Sequence, residues 1–256
     1  MSLLATTQLT KRFGGITAVN QVDINVGPGE ICGLIGPNGS GKTTLVNVIT
    51  GIYKPTSGEV TLDGHPIHDR APHEICSLGI GRTFQNIRLL LALSVFDNVR
   101  LGGHIHSGSG LWDVLLETGK FCREEKQVAD RINEVLDFTS LRPYRDELTR
   151  NLPYGRRKIV EIARALMARP KLLILDEPAA GLNSSEKENL VALLDKVRDT
   201  GVSILLIEHE MAMVEALSNR VFVLNYGKKI CQGSFAEIKQ DAVVVEAYLG
   251  TGGSHA

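Results

Sequence analysis

The stretch ICGLIGPNGSGKTTLVNVITG, residues 31–51, joins a short apolar run to a glycine-rich loop and then to an amphipathic helix. Its middle, Gly36–Thr43, fits G-x-x-x-x-G-K-[ST] in full. That pattern describes an anion cradle. Gly36, Gly39 and Gly41 let the backbone wrap closely and aim N–H groups inward, while Pro37, Asn38 and Ser40 complete the loop. Lys42 brings a point charge to the β- and γ-phosphates of a nucleotide, Thr43 offers a hydroxyl to Mg²⁺, and Thr44 continues the helix start. A bare match arises by chance in glycine-rich loops; a match between a strand and a helix is far more specific.

Working outward, a nucleotide site needs a carboxylate for the metal and a group to orient the attacking water. LLILDEP, residues 172–178, supplies both at the end of a buried apolar strand. Successive strand side chains point opposite ways, so Asp176 can serve hydrated Mg²⁺ and Glu177 the water attacking the γ-phosphorus.

Around these motifs, 256 residues with 43% hydrophobic content bury a substantial core. Lys plus Arg total 28 against 29 Asp plus Glu, a formal charge of −1, which gives no sign of a nucleic-acid binder or a polybasic anchor. Cys32, Cys76, Cys122 and Cys231 are scattered with no C-x-x-C pair, which argues against zinc or a disulfide framework and fits a reducing cytosol. The start, MSLLATTQLTKRFGG, lacks the features of a secretory signal, and no run reaches the roughly 18 apolar residues of a membrane span. Membrane work would need another chain to cross.

The pattern divides the chain into three regions of one expected domain, 1–256. From Leu3 to about Gln85, runs such as VDINV, ICGLIG and GEVTLDG read as strands with one helix after Gly41. From 86 to 168 the periodicity turns helical, in SVFDNVRLG, REEKQVADRINEVLDF and the helix after Gly155. Then LLILDE, a helix, VSILLIE, a helix and RVFVLNYGKKICQG alternate as in an α/β sheet with buried parallel strands. A capping box is expected at Ser185 and Glu188, ahead of the apolar ladder Leu190, Leu193, Leu194 and Val197. The segment 241–256 reads as a final helix, VVVEAYLG, and a frayed tail. The histidine groups His65, His68, His73 and His104, His106 read as solvated loops, and Arg123–Gln127 as an exposed helix face.

Collectively these residues resemble the ATP-binding-cassette ATPases over nearly the entire chain. The order of motifs carries the resemblance: Phe13 in TKRFGG, the P-loop, Gln85 ending GIGRTFQ, LPYGR at 152–156, the Asp-Glu pair, AAGLN, and His209 in LLIEHE. It implies a P-loop core with an N-terminal antiparallel β subdomain and an inserted helical subdomain. Phe13 would stack on adenine, Gln85 would contact Mg²⁺ or water, and His209 would sense the γ-phosphate. Cassettes of this family pack head to tail, so Leu152, Tyr154 and Gly155 would close over ATP held by a second subunit's P-loop, with ATP and Mg²⁺ as cofactors. The usual Leu-Ser-Gly-Gly-Gln signature is here Leu152-Pro153-Tyr154-Gly155-Arg156, and Pro153, with neither hydroxyl nor N–H, hints at a pair of unequal sites; Asn183 stands where the family commonly has an Asp that contacts the partner cassette.

Within the family, GIGRTFQNIRLLLALSVFDNVRLG, PYGRRK, DEPAAGLN and VVVEAYLG are most similar to ATP-binding subunits of branched-chain amino-acid importers. That resemblance implies a peripheral subunit at the cytoplasmic face of the inner membrane. It would pair with a like or paralogous ATPase subunit and with transmembrane permeases, be fed by a periplasmic binding protein, and have no nucleic-acid partner. Related importers handle urea or short amides, so the solute stays open. Soluble cassette ATPases of translation or DNA repair are the rival; they commonly carry two cassettes or a long coiled-coil insert, and neither is visible here. A GTPase or kinase switch would leave the signature and His209 unexplained.

Overall fold

The computed structural model describes residues 2–103 and 119–249. His104, His106 and the tail after residue 249 lie outside them. Two sheets organise the molecule. The first is antiparallel: β2 (Ile16–Val22), β1 (Leu4–Phe13), β5 (Ser57–Leu62) and β6 (His65–Pro66) lie in that order, with β3 (Asn25–Val26) also pairing with β1. The second has the order β11-β10-β4-β9-β8-β7, formed by β4 (Ile31–Ile35), β7 (Ile80–Arg82), β8 (Leu172–Asp176), β9 (Ser203–Ile207), β10 (Arg220–Asn225) and β11 (Lys228–Gly233). All its pairs are parallel except β10–β11.

Every residue of β4, β8 and β9 is buried, as continuous apolar runs require of strands covered on both faces. The period of two assigns the faces. Leu172 and Ile174 of β8, with Leu205 and Ile207 of β9, join the core shared with the antiparallel sheet and α1 (Lys42–Ile49). Leu173, Leu175, Ile204 and Leu206 point the other way. There they meet the buried faces of α3 (Val95–Leu101), α4 (Gly119–Phe138) and α5 (Tyr154–Met167), through Val95, Val99, Ile132, Leu136, Val160 and Leu166. At about 1.5–3 kcal/mol per fully buried aliphatic side chain, this packing docks the helices firmly on the sheet.

α2 (Pro72–Ser77) precedes β7, and α6 (Ser184–Asp199) and α7 (Met211–Leu217) flank β9. The ladder Leu190, Leu193, Leu194 and Val197 is the buried stripe of α6. Its cap lies two residues earlier than expected. Asn183, with extended backbone, accepts from the Glu186 amide at 3.0 Å and its own amide donates to the Glu186 carboxylate at 3.0 Å. Asn is as good a cap as Ser, and the helix already begins at Ser184, so Ser185 falls inside it.

RVFVLNYGKKICQG is two antiparallel strands, since Tyr226 and Gly227 both have positive φ, 45° and 77°, as a two-residue hairpin turn demands. α8 (Phe235–Gln240) and α9 (Ala242–Leu249) then fold back, placing Ile238 and Val244 in a cluster with Ile35, Val221 and Val223. His65 lies in β6 and His73 in α2 rather than in loops, and His68 faces Asp69 at 3.7 Å. Among the described residues, no group of three or more His, Cys, Asp or Glu is set to hold a metal ion. Cys32, Cys76 and Cys231 are free thiols. No helix among the described residues is long and apolar enough to cross a membrane.

Candidate nucleotide site

The loop between β4 and α1 sits at the carboxyl end of the parallel sheet, where open α/β sheets hold their ligands. Gly36 has φ +149°, and a β-carbon there would stand 2.1 Å from the Leu224 carbonyl oxygen, so glycine is required for the loop to lie against β10. The Lys42 ammonium is buried and donates to the carbonyls of Gly36 at 2.6 Å and Pro37 at 3.0 Å, across the concavity. Ser40 Oγ is buried in the loop without a protein partner. Asn38, Gly39 and Thr43 are exposed at its rim and Thr44 is half-buried. The first-turn amides of α1 have no intrahelical acceptors, so the loop presents donors and a cation to an anion. Burial pushes the Lys42 ammonium below its ordinary pKa, while the Glu177 and Asp176 carboxylates pull it back up.

Beside the cradle, β8 ends in Asp176, and Glu177 follows it in the turn. Asp176 is buried, and its Oδ2 accepts from Arg82 at 3.2 Å. Arg82 also donates to Asn47 Oδ1 at 2.7 Å and Thr50 Oγ1 at 3.0 Å, clamping α1, β7 and β8 together. Burial raises the Asp176 carboxyl above its ordinary pKa, and the Arg82 guanidinium opposes that rise. Arg82 was not among the expected site residues. Its signal was a buried-strand position, GIGR, carrying a charge that only a carboxylate elsewhere in the fold could match.

Glu177 has φ +50°, a left-handed conformation rare outside glycine. Pro178 follows it and disfavours the right-handed helical region at Glu177. The turn is held at its start by the Glu177 amide, which donates to the Ile207 carbonyl at 2.9 Å. The side chain is met from two sides: Gln85 Nε2 donates to Oε2 at 2.9 Å, and His209 Nδ1 stands 3.6 Å from Oε1. Residues 85, 177 and 209, distant in sequence, thus converge on one carboxylate. Glu208 points the opposite way from His209; fully buried, it accepts from the Ala179 amide at 2.8 Å and ties the end of β9 to the loop after Glu177. Glu208 is not among the expected site residues.

Phe13 is 42% exposed at the end of β1, its ring edge-on to Tyr53 at 5.2 Å, with Lys11 Nζ 5.0 Å from its centroid. It is a surface platform, not core material. The signature residues gather elsewhere. Leu152 is buried, Pro153 is the N-cap of α5, and Tyr154 is 46% exposed. A β-carbon on Gly155 would lie 2.3 Å from Glu186 Oε1, and one on Gly181 would lie 3.0 Å from the Tyr154 ring. This turn therefore packs on the AAGLN loop and the start of α6 of its own chain.

The oxygen donors of Thr43, Asp176 and Gln85 suit a hard cation such as Mg²⁺, and the orphan hydroxyl of Ser40 and the loop amides suit phosphate oxygens. A glycine-rich cradle after β4, paired acids ending β8 and a histidine after β9 define a P-loop nucleotide hydrolase. Comparison with known proteins narrows the class. The ABC transporter family matches residues 19–180. A second family, described as branched-chain amino acid ATP-binding cassette transporter, matches residues 228–254. The high-affinity branched-chain amino acid transport ATP-binding protein LivG of Salmonella typhimurium is 40% identical over 249 residues, 97% of this chain and 98% of that protein. BraF of Pseudomonas aeruginosa, of the same description, is 39% identical over the same shares. A nucleotide-free ATP-binding cassette from an ABC transporter superimposes with TM-score 0.85 and 33% identity, covering 97% of this chain and 99% of that one. A dimeric post-hydrolysis cassette bound to ADP and Pi gives TM-score 0.76 and 26% identity, covering 91% and 98%. The chain belongs to the ABC transporter family, as an ATP-binding cassette whose ATP hydrolysis is coupled to transport.

Proposed function

We propose that this chain is the ATP-hydrolysing subunit of an importer of branched-chain amino acids, held at the cytoplasmic face of the membrane by permease chains. The observation that carries the catalytic part is the convergence of Gln85 and His209 on Glu177, beside the Lys42 cradle. The solute assignment is supported by the descriptions of LivG and BraF and by the match of residues 228–254.

In this reading the amides of Gly36–Thr44 and the Lys42 ammonium bind the β- and γ-phosphates, with Ser40 Oγ as an added donor. Phe13 covers the adenine. Thr43, Asp176 and Gln85 would hold Mg²⁺, which when bound neutralises charge on the phosphate oxygens. Glu177 orients the attacking water and accepts its proton, and His209 contacts the γ-phosphate. Leu152, Tyr154 and Gly155 close on ATP bound to a second cassette, of the same or a paralogous chain, so that binding joins the subunits and hydrolysis releases them. The dimeric ADP- and Pi-bound cassette supports a dimer as the working unit. A periplasmic binding protein would deliver the solute.

Two measurements test the reading. Affinity capture from gently solubilised membranes is expected to bring down permease chains and a second cassette; ribosomes or DNA in their place would refute it. In the reconstituted complex, Glu177→Gln is expected to keep ATP binding and to lose hydrolysis and leucine uptake by about a hundredfold or more. Unchanged turnover would remove Glu177 from its role.

A further inference from the structure

Lys158, the fifth residue of α5, is 3% exposed and points inward from the helix that starts at the signature turn. Its ammonium donates to two main-chain carbonyls of other elements, Gln85 at 3.3 Å and Glu177 at 3.2 Å. The contact continues up the same side of the helix. Glu161 accepts from the Arg88 amide at 3.3 Å, and Arg164 donates to the Arg88 carbonyl. Three side chains spaced three apart thus grip the segment containing Gln85. Glu161 pairs with Arg164 at 3.6 Å, and its carboxylate is also within electrostatic reach of the buried Lys158 ammonium.

The Glu177 carbonyl is a consequential place for such a bond. Glu177 is in a left-handed conformation, and Pro178 after it has no N–H. Such a conformation persists where its surroundings over-determine it. Here the amide is pinned by Ile207, and the carbonyl by Lys158 together with the Ala180 amide at 3.2 Å. Rotation of that peptide would swing the carboxylate away from Gln85 and His209.

The geometry points to Lys158 as a positioning residue: it fixes the main chains of Gln85 and Glu177 to the signature helix, so the carboxylate keeps its aim only while α5 is docked. This rests on the reading of Glu177 given above. The helix that reaches toward a neighbouring cassette at its first turn thereby sets the water-orienting group of its own site one turn later.

The test is Lys158→Met in the full transporter complex, with Glu177→Gln in parallel. Lys158→Met is expected to lower kcat about a hundredfold, as a displacement near 1 Å of a reacting group does, while KM for ATP, nucleotide affinity and ATP-dependent pairing of cassettes stay at wild-type values and Tm falls by only about 2–4 °C for the lost buried hydrogen bonds. Lys158→Arg, which can donate to both carbonyls, is expected to recover most of kcat. Lys158→Gln reaches one carbonyl and is expected to fall between, and it carries the test if the Met variant does not fold. Wild-type kcat in the Met and Gln variants, with Glu177→Gln inactive, would overturn the role of Lys158 alone. Loss of Tm and nucleotide affinity in step with kcat would reduce Lys158 to a structural residue and overturn it too. Normal hydrolysis by Glu177→Gln would instead overturn the underlying reading.

Discussion

The glycine-containing turns that open α1 and α5 have opposite surroundings. The loop before α1 is encircled by its own chain's machinery: Lys42 across its mouth, Asp176 and Glu177 at the end of β8, Gln85 and His209 meeting at Glu177. The turn before α5 has no side-chain cap, and the Glu186 carboxylate stands against Gly155, 2.3 Å from where a β-carbon would be. A helix start next to a carboxylate is poorly placed to gather a phosphate by itself. It gains from one delivered already bound to Mg²⁺ and lysine. The contrast supports the proposal that a second copy or a sister chain completes the nucleotide site.

Glu177→Gln breaks the first turn's chemistry and spares the second, so it is expected to give the largest effect on turnover and to accumulate ATP-bound pairs of cassettes. Gly155→Ala attacks the other side. Its methyl group would displace Glu186 from the cap of α6, costing about 1 kcal/mol, or about 2–4 °C in Tm. ATP binding to the isolated cassette is expected to hold while ATP-dependent pairing, read by sedimentation, weakens about tenfold. Phe13→Ala sharpens the comparison from the nucleotide's far end; loss of one stacked ring, about 1 kcal/mol, is expected to raise the ATP dissociation constant about fivefold with kcat preserved. The smallest effect is expected from Asn183→Ala, which removes the α6 cap at about 1 kcal/mol, visible as a fall in Tm with nucleotide binding unchanged.

Much of this site was legible because its signals are local. The P-loop repeats a fixed spacing, and Asp176 is the last residue of the buried strand β8, Glu177 the next, and His209 stands two residues past the buried strand β9, so their sheet position follows from the parallel pattern. What escaped depends on long-range pairing. Arg82 matters through Asp176, 94 residues away, and Lys158 through the Gln85 carbonyl, 73 residues away. No spacing rule connects a side chain to a distant main-chain carbonyl. The capping box at Ser185 and Glu188 was displaced because two overlapping patterns, N-S-S-E and S-E-K-E, both satisfy the rule, and the choice fell to the turn that packs on Tyr154. The hairpin inside RVFVLNYGKKICQG is not marked in the sequence because its turn residues, Tyr226–Gly227, are not the Asn-Gly or Asp-Gly pair that signals such a turn.

The most direct measurement is the structure of the assembled transporter carrying Glu177→Gln, trapped with ATP and Mg²⁺. The γ-phosphate is expected to lie within hydrogen-bond reach of both Lys42 of this chain and the signature turn of the facing cassette, with this chain's Gly155 closing the opposite site. A nucleotide enclosed wholly by one chain, its γ-phosphate untouched by the facing cassette, would contradict the account.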